Sequence, residues 1–341
     1  MGYDVTIGIP VYKSVDYIRR SLESAIAQTY PSIEYLIIDD AGGDGSMEIV
    51  ETITQTHSRG RDIRIIQHAD NLGVSASRNQ IIDEAHGEFL FFMDSDDTIA
   101  DNTIELLMQN ARCYNAEIVF GSYEKIDISG NRTNYQYPEL QLLKEDELAK
   151  FAYRKYAGIQ ASVCNYLVKT SILRDNNHRF IDANYWEDMA FTFDLVTFIS
   201  RAVLLPNVTY SYLCHENSLS NYQERQVLSK SEIVQNIHVI EHLKETSSLL
   251  YNKEYFPNRC LNIVLTDFFI ACNVIKRRND ICPNMSNLEI KRIIKHPASF
   301  IRICKFRHVR LENMALYILG HLPSNLCVTL IGIVGRIKKL I

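Results

Sequence analysis

Asp94 and Asp96 stand two residues apart just after the apolar run Phe89 to Met93. On a turn past a buried strand, that spacing lets a carboxylate oxygen bind a hard divalent cation, Mg2+ or Mn2+, while phosphate oxygens fill other coordination positions. A second acidic group, Asp39-Asp40 with Asp44, follows the run Glu34 to Ile38 and is interleaved with Gly42, Gly43 and Gly45. Those glycines allow backbone to approach a ligand closely. Pro10-Val11-Tyr12 closes a third apolar run, Val5 to Val11. Acids this concentrated beside a phosphate require a cation.

The elements that must position these groups are legible from hydrophobic periodicity. Val5 to Val11, Glu34 to Ile38, Ile63 to Gln67 and Phe89 to Met93 are short runs rich in Ile, Val and Phe, and they predict strands. Between them, Tyr17 to Gln28, Ser46 to His57 and Val74 to His86 have helical periodicity. Strands alternating with helices imply an α/β fold with a mainly parallel sheet covered on both faces. Ligands of such sheets bind beyond the carboxyl ends of the strands, where these acids lie.

The run IGIPVYKSVDYIRRSLESAIAQTYPSIEYLIIDDAGGDGS, then NLGVSASRN at Asn71 to Asn79, then FLFFMDSDD at Phe89 to Asp97, closely resembles inverting family-2 glycosyltransferases of the GT-A fold. The resemblance continues more weakly through VCNYLVKTSIL and YWEDMAF and fades after about Ser220. It implies a nucleotide-sugar donor, with Asp39 near the uracil edge of UDP and Pro10 and Tyr12 along base and ribose. Arg78 and Ser95 would lie close to the nucleotide, Asp94 would touch ribose and the metal shell, and Asp96 would ligate Mn2+ or Mg2+. An inverting transfer needs one carboxylate to take the acceptor hydroxyl proton. Glu187 and Asp188 both qualify by residue type; the resemblance favours Asp188, with Glu187 orienting the site or contacting the acceptor. Trp186 beside them can stack on a sugar ring. The implied acceptor is a hydroxyl of a growing, lipid-linked glycan of a bacterial surface polysaccharide.

The chain departs from the family pattern in places. Lys13 replaces a common Asn, Ala41-Gly42 replaces a usual Gly-Ser, and Leu213 and His215 stand where basic residues are frequent. His215 is then a diphosphate contact or a polar loop residue. Each acid also has a structural reading: Asp39, Asp40, Asp44 and Asp97 as turn or helix-cap residues, Arg78 as a solvated helix residue, and Glu187-Asp188 as a helix-start charge effect. Two rival functions compete. FFMDSDDT fits the signature of haloacid-dehalogenase-like phosphatases with Asp94 as nucleophile, but three nucleotide-type elements precede it here. A non-catalytic nucleotide-sugar-binding protein would have no need of Asp188.

Composition sets the wider frame. The chain has 341 residues, 46% hydrophobic and 23% charged, enough for one large core or two smaller ones. Its eight cysteines are scattered with no metal-like spacing, which fits a reducing cytoplasm. The start lacks the features of a secretory signal. Met1-Gly2 with Thr6 matches an N-myristoylation pattern, but Thr6 falls in an expected buried strand.

From Ile270 onward there are 13 Lys and Arg against 3 Asp and Glu, leaving 23 basic and 38 acidic residues before it. The basic tail suits an anionic membrane surface, while the acidic body argues against nucleic acid as a partner. Helical periodicity marks Glu232 to Leu250 and Cys260 to Lys276. Leu326 to Ile341 is apolar for about ten residues and ends in Arg336, Lys338 and Lys339: too short to span a bilayer, suited to its interface. Packing on the body or a homodimer contact are the competing uses. The expected organisation is a GT-A domain over 1–222, with a nucleotide-sugar half to 115 and an acceptor half from 116, then a helical region over 223–341. The expected location is cytoplasmic, peripheral on the inner face of the membrane.

Overall fold

The computed structural model describes residues 2–154, 158–183, 185–215 and 228–341. It divides into two units, Met1–Leu148 with Ala161–Ser218, and Ala149–Gln160 with Leu219–Ile341. The boundary expected at 222/223 lies outside the described residues.

The first unit opens with β1 (Val5–Val11), α1 (Ile18–Ile26), β2 (Ile33–Asp39), α2 (Ser46–Thr56), β3 (Ile63–Gln67), α3 (Val74–Glu84) and β4 (Phe89–Phe92). There follow β5 (Thr98–Ile99), α4 (Thr103–Tyr114), β6 (Ile118–Ile126), β7 (Arg132–Tyr135), β8 (Leu140–Leu142) and α5 (Glu147–Ala152), which reaches the unit boundary. The unit closes with β9 (Tyr166–Lys169), α6 (Thr170–Asp175), α7 (Glu187–Leu195) and β10 (Ala202–Leu213).

One mixed sheet runs β3-β2-β1-β4-β9-β6-β10-β5, with β7 on β6 and β8 on β10. β1 to β4 are mutually parallel where they pair, and β9 is antiparallel to both β4 and β6. This is the mixed, mainly parallel α/β architecture of the GT-A fold. Helices cover both faces of the parallel half, so β2 and β4 read as continuous apolar runs and every residue of β4 is buried. Thr6 is fully buried in β1, where its hydroxyl donates to Glu34 at 2.6 Å. At Gly8 a Cβ would meet Ile81 Cγ2 of α3 at 2.3 Å, so a larger residue fits only if the Ile81 side chain shifts. The chain order reverses at β1, between β2 and β4, which opens a crevice at their carboxyl ends.

The second unit contains β11 (Leu228–Ser229), α8 (Lys230–Ser247), α9 (Phe256–Lys276), β12 (Ile281–Cys282), α10 (Asn287–Ile293), α11 (Phe300–Cys304), α12 (Arg310–His321) and α13 (Ser324–Ile337). Capping boxes at Ser229-Glu232 and Ser286-Glu289 start α8 and α10, each worth about 1 kcal/mol. Residues 149–160 belong here because Tyr153 OH accepts from the fully buried Arg259 at 2.6 Å. Arg259 also donates to Ser247 Oγ at 2.8 Å and Thr246 Oγ1 at 2.9 Å.

α9 is long and apolar enough to cross a membrane, but it is 61% buried. Its buried Asp267 pairs with Lys244 at 2.8 Å, as befits a core helix. The last helix is apolar on its buried and its exposed sides alike. Cys327, Ile331, Gly332 and Gly335 of α13 are buried against neighbouring helices, while Leu326, Ile333, Val334 and Ile337 are exposed.

Candidate active site

Strand register assembles the crevice. Val11 stands opposite Asp39, so β1 and β2 end together, and β4 ends at Phe92 opposite Gly8, three residues short of the end of β1. Pro10 is partly buried there, and Tyr12 is exposed with Lys13 Nζ 5.1 Å from its ring centroid.

The second acidic group separates into two kinds of residue. Asp40 is buried and accepts from Leu72 N at 2.8 Å, Gly73 N at 2.9 Å and Asn71 Nδ2 at 2.9 Å, with His68 Nδ1 at 2.6 Å. Asp44 accepts from Val15 N at 3.0 Å and from Ser46 N and Oγ at 3.2 and 2.6 Å. Both tie loops together, as the turn reading allowed. Asp39 remains partly exposed, with Ala41 N on its Oδ1 at 3.1 Å.

The turn after β4 distributes its polar side chains among different partners. Asp94 Oδ1 accepts from Arg78 Nη2 at 2.8 Å, Ser95 Oγ lies 2.6 Å from Ser14 Oγ, and Asp96 Oδ2 meets His215 Nε2 at 2.8 Å. The His215 ring stacks on Tyr17 at 4.4 Å. Asp97, considered above as a helix cap, instead accepts from Tyr210 OH at 2.8 Å and Leu213 N at 2.7 Å. It thereby anchors the end of β10, and Asn102 occupies the cap position of α4 without a side-chain bond. Burial, then the charge of Asp94, raise the Asp96 carboxyl above the usual carboxylate range, against the pull of His215.

α3 carries Arg78 to this turn and also holds the segment before α7. Asn79 Nδ2 donates to Phe180 O at 2.9 Å and its Oδ1 accepts from Phe180 N at 2.8 Å; Ser75 Oγ donates to Ala183 O at 2.9 Å. Arg78 is therefore no solvated helix residue. It is buried, its guanidinium lies 5.5 Å from the Phe180 ring centroid, and Nη1 donates to Glu187 Oε1 at 2.8 Å. Burial works against its charge, but Asp94 and the Glu187-Asp188 pair outweigh that and keep it protonated.

Trp186, partly exposed at φ 65°, sits in the left-handed region immediately before α7. That conformation is costly for a bulky residue and turns the chain so that Glu187 and Asp188 form the first turn of the helix. Glu187 is buried on Arg78. Asp188 is partly exposed, with Met189 N on its Oδ1 at 2.7 Å. Burial first, and the adjacent Glu187 charge second, push its carboxyl up to about 7. A carboxylate with that affinity for protons is suited to general base work near neutral pH.

The donor chemistry fits a divalent cation. Asp94 and Asp96 supply hard oxygens, and their mutual repulsion is surplus negative charge that such an ion neutralises. Among the described residues no group of three or more His, Cys, Asp and Glu side chains gathers as a cage, so most of the coordination would come from diphosphate and water.

Four supporting residues escaped sequence reasoning. Tyr17, Asn79, Cys164 and Tyr210 all touch the site; the first three lie inside stretches that carry the family resemblance, but none was singled out for a role. The Cys164 thiol lies against Asp94, and burial and that charge push its pKa far up, which makes it neutral packing.

Residues 6–173 match the profile described as Glycosyl transferase family 2. That segment, the greater part of the first unit, belongs to the family. It is 25% identical over 270 residues to the cholesterol galactosyltransferase of Borreliella burgdorferi, covering 76% of this chain and 71% of that protein. It is 26% identical over 223 residues to the succinoglycan biosynthesis protein ExoO of Rhizobium meliloti, covering 64% of this chain and 62% of that one. Among solved structures, S. aureus TarS 1-349 in complex with UDP-GlcNAc superposes with a TM-score of 0.63 at 18% identity, over 98% of this chain and 92% of that one. The chain is a glycosyltransferase of the GT-A fold, and the phosphatase reading of Asp94 falls with that assignment.

Proposed function

We propose that this family-2 glycosyltransferase moves one sugar, with inversion, from a UDP-sugar to a hydroxyl of a growing glycan in surface polysaccharide biosynthesis. The observation that carries the reading is Arg78, one buried guanidinium bonded both to Asp94 at the strand ends and to Glu187 beside the prospective base. A transfer requires the leaving diphosphate and the attacking hydroxyl to be held at fixed separation, and a rigid bidentate cation does that.

In this reading Asp39 accepts the uracil N–H, with Pro10 and Tyr12 along the base and ribose. Asp94 and Ser95 hold the ribose and phosphate side. Asp96, with Asp94, would hold Mn2+ or Mg2+, which supplies neutralisation of the departing diphosphate when bound. His215, already on Asp96, is placed for a diphosphate oxygen. Asp188 removes the acceptor proton, Glu187 fixes its surroundings through Arg78, and Trp186 offers a face to the acceptor sugar. The donor half lies within 1–115 and the acceptor half within 116–222.

Peripheral contact with the inner face of the membrane, and a lipid-linked acceptor, belong to the same reading. Their support is the exposed apolar stripe of α13 beside Arg336, Lys338 and Lys339. A dimer through that stripe is the competing use of the same surface.

Calorimetric titration of UDP, with and without Mn2+, tests the core of the proposal on wild type, Asp96→Ala and Asp39→Ala. Metal-dependent binding weakened by both substitutions is expected. Equal affinity in all three proteins would sink the assignment.

A further inference from the structure

The second unit has a cleft of about 760 Å³ that the proposed reaction does not use, bounded by residues 251–257 before and at the start of α9 and by 302–308 across α11 and the turn before α12. Lys253, Arg302, Lys305, Arg307 and His308 line it. Among the lining residues Glu254 is the single carboxylate, and it pairs with Lys150 at 2.5 Å. Lys150, and behind it His308 and Arg307, hold that carboxyl below its ordinary range.

The walls are ordered by packing. The Arg302 guanidinium lies 4.2 Å from the Tyr251 ring centroid, and Phe256 meets Phe306 edge to face at 5.8 Å within a buried cluster that includes Cys260 and Ile303. Val309, at φ 45°, adopts a left-handed conformation that a β-branched residue rarely takes, and it ends the turn bearing Arg307 and His308.

Like charges gathered in a concavity repel one another, and an anion with several oxygens relieves that repulsion; guanidinium and ammonium groups match phosphate in particular. The rim adds a second requirement. Ile301, Leu249 and Leu311, which lie one, two and three residues in sequence from the lining segments, are 70%, 83% and 73% exposed. A free inorganic phosphate gives such side chains nothing to contact, whereas a phosphate with a hydrocarbon attached satisfies both features.

We propose that this cleft seats the phosphate headgroup of an anionic phospholipid, with Ile301, Leu311 and Leu249 entering the acyl boundary around it. This rests on the membrane contact suggested above and deepens it by naming the headgroup site, which is separate from the α13 stripe.

The test uses the full chain and sedimentation with vesicles of phosphatidylcholine alone or containing phosphatidylglycerol. Three variants are compared with wild type: Arg302→Glu with Lys305→Glu in the cleft, Ile301→Asp with Leu311→Asp on its rim, and Ile333→Asp with Ile337→Asp on α13. All six side chains are exposed, so folding should survive; a thermal melt of each variant verifies it, and a UDP titration follows the first unit.

Wild type should bind the anionic vesicles at least tenfold more tightly than the neutral ones. The cleft pair should remove that preference, the rim pair should weaken binding to both kinds, and UDP affinity should be unchanged. Wild-type affinity in the cleft variant overturns the headgroup site, and if the α13 variant alone loses binding, membrane contact stands without it. Glycerol 1-phosphate binding the cleft in a protein that ignores vesicles also overturns the lipid assignment. Failure of wild type on every vesicle removes membrane contact and headgroup site together, while the UDP titration still decides the transferase reading separately.

Discussion

Arg78 Nη1 donates to Glu187 Oε1 at 2.8 Å, joining the helix that follows β3 to the helix that follows Trp186. Its Nη2 is on Asp94, so the guanidinium couples two acids that lie 93 residues apart in the sequence. A lysine at this position keeps the charge but cannot serve both carboxylates in one plane. Arg78→Lys should therefore lower kcat about 100-fold with a smaller change in UDP affinity, consistent with misplacement of reacting groups. Arg78→Met would strand Glu187 as a buried unpaired charge and cost about 3–5 kcal/mol of stability. Steady-state rates of the lysine variant at saturating donor, beside its thermal melt, separate positioning from folding. Unchanged kcat would reduce Arg78 to scaffolding.

Asp188 makes the reaction pH-dependent in a defined direction. Its carboxyl is raised to about 7 and must be ionised to accept a proton, so kcat/KM should rise about tenfold per unit at acid pH and level off above 7. Asp188→Asn should abolish that limb and lower kcat by about 10²–10⁴. Stability runs the other way. Because the folded pKa lies above the unfolded one, near 4, the folded state holds the proton more tightly, and stability is lost as pH rises from about 4 to about 7. At pH 8 the Asn variant should be more stable than wild type by about 2 kcal/mol, a figure discounted for the solvent that reaches Asp188. Melting curves at pH 5 and pH 8 show whether the difference grows with pH as required.

The parallel half of the sheet was readable because covered strands leave uninterrupted apolar runs. β1 and β3 begin and end at the expected residues, β2 is one residue longer at each end, and β4 stops one residue early. β9 was not readable: four residues inserted antiparallel between β4 and β6 are defined by pairing across the chain and not by local pattern. The acids behaved similarly. That Asp94 and Asp96 follow a buried strand was clear from sequence alone. That Asp97 would reach Tyr210 and Leu213, leaving its neighbours to the crevice, depended on a strand more than a hundred residues away. Residues 149–160 look like an ordinary continuation of the first unit until Arg259 is seen donating to Tyr153.

Asp39 and Asp40 are neighbours with opposite expected phenotypes. Asp40 satisfies two backbone N–H groups and the Asn71 amide in a buried position, so Asp40→Ala should destabilise the fold by about 3 kcal/mol and weaken UDP binding only as far as the 71–73 loop loosens. Asp39→Ala removes a partly exposed carboxylate bonded to Ala41 N, and should leave the melting temperature within about 2 °C while reducing UDP affinity at least tenfold. A thermal melt and a UDP titration of both variants decide the matter; a large loss of stability in the Asp39 variant would assign it to the scaffold with Asp40.

Ala41 and Lys13 bring two of the departures from the family pattern into one physical account. Both have left-handed backbone, at φ 56° and φ 50°, which glycine and asparagine tolerate best. The usual residues at these positions, Gly and Asn, are thus explained by conformation, with no need of a nucleotide contact. The close approach of the two loops limits the room for adjustment, since a Cβ on Gly42 would meet Lys13 N at 2.7 Å. Ala41→Gly should relieve strain of about 1–2 kcal/mol, partly offset by about 0.5–1 kcal/mol of added freedom in the unfolded chain, for a net gain near 1 kcal/mol. Lys13→Asn should act in the same direction while deleting the ammonium beside Tyr12. Denaturant melts with and without UDP distinguish the two effects: stabilisation of the free protein with unchanged UDP affinity supports the conformational account, and a fall in affinity for the Asn variant alone would assign Lys13 a direct role at the nucleotide.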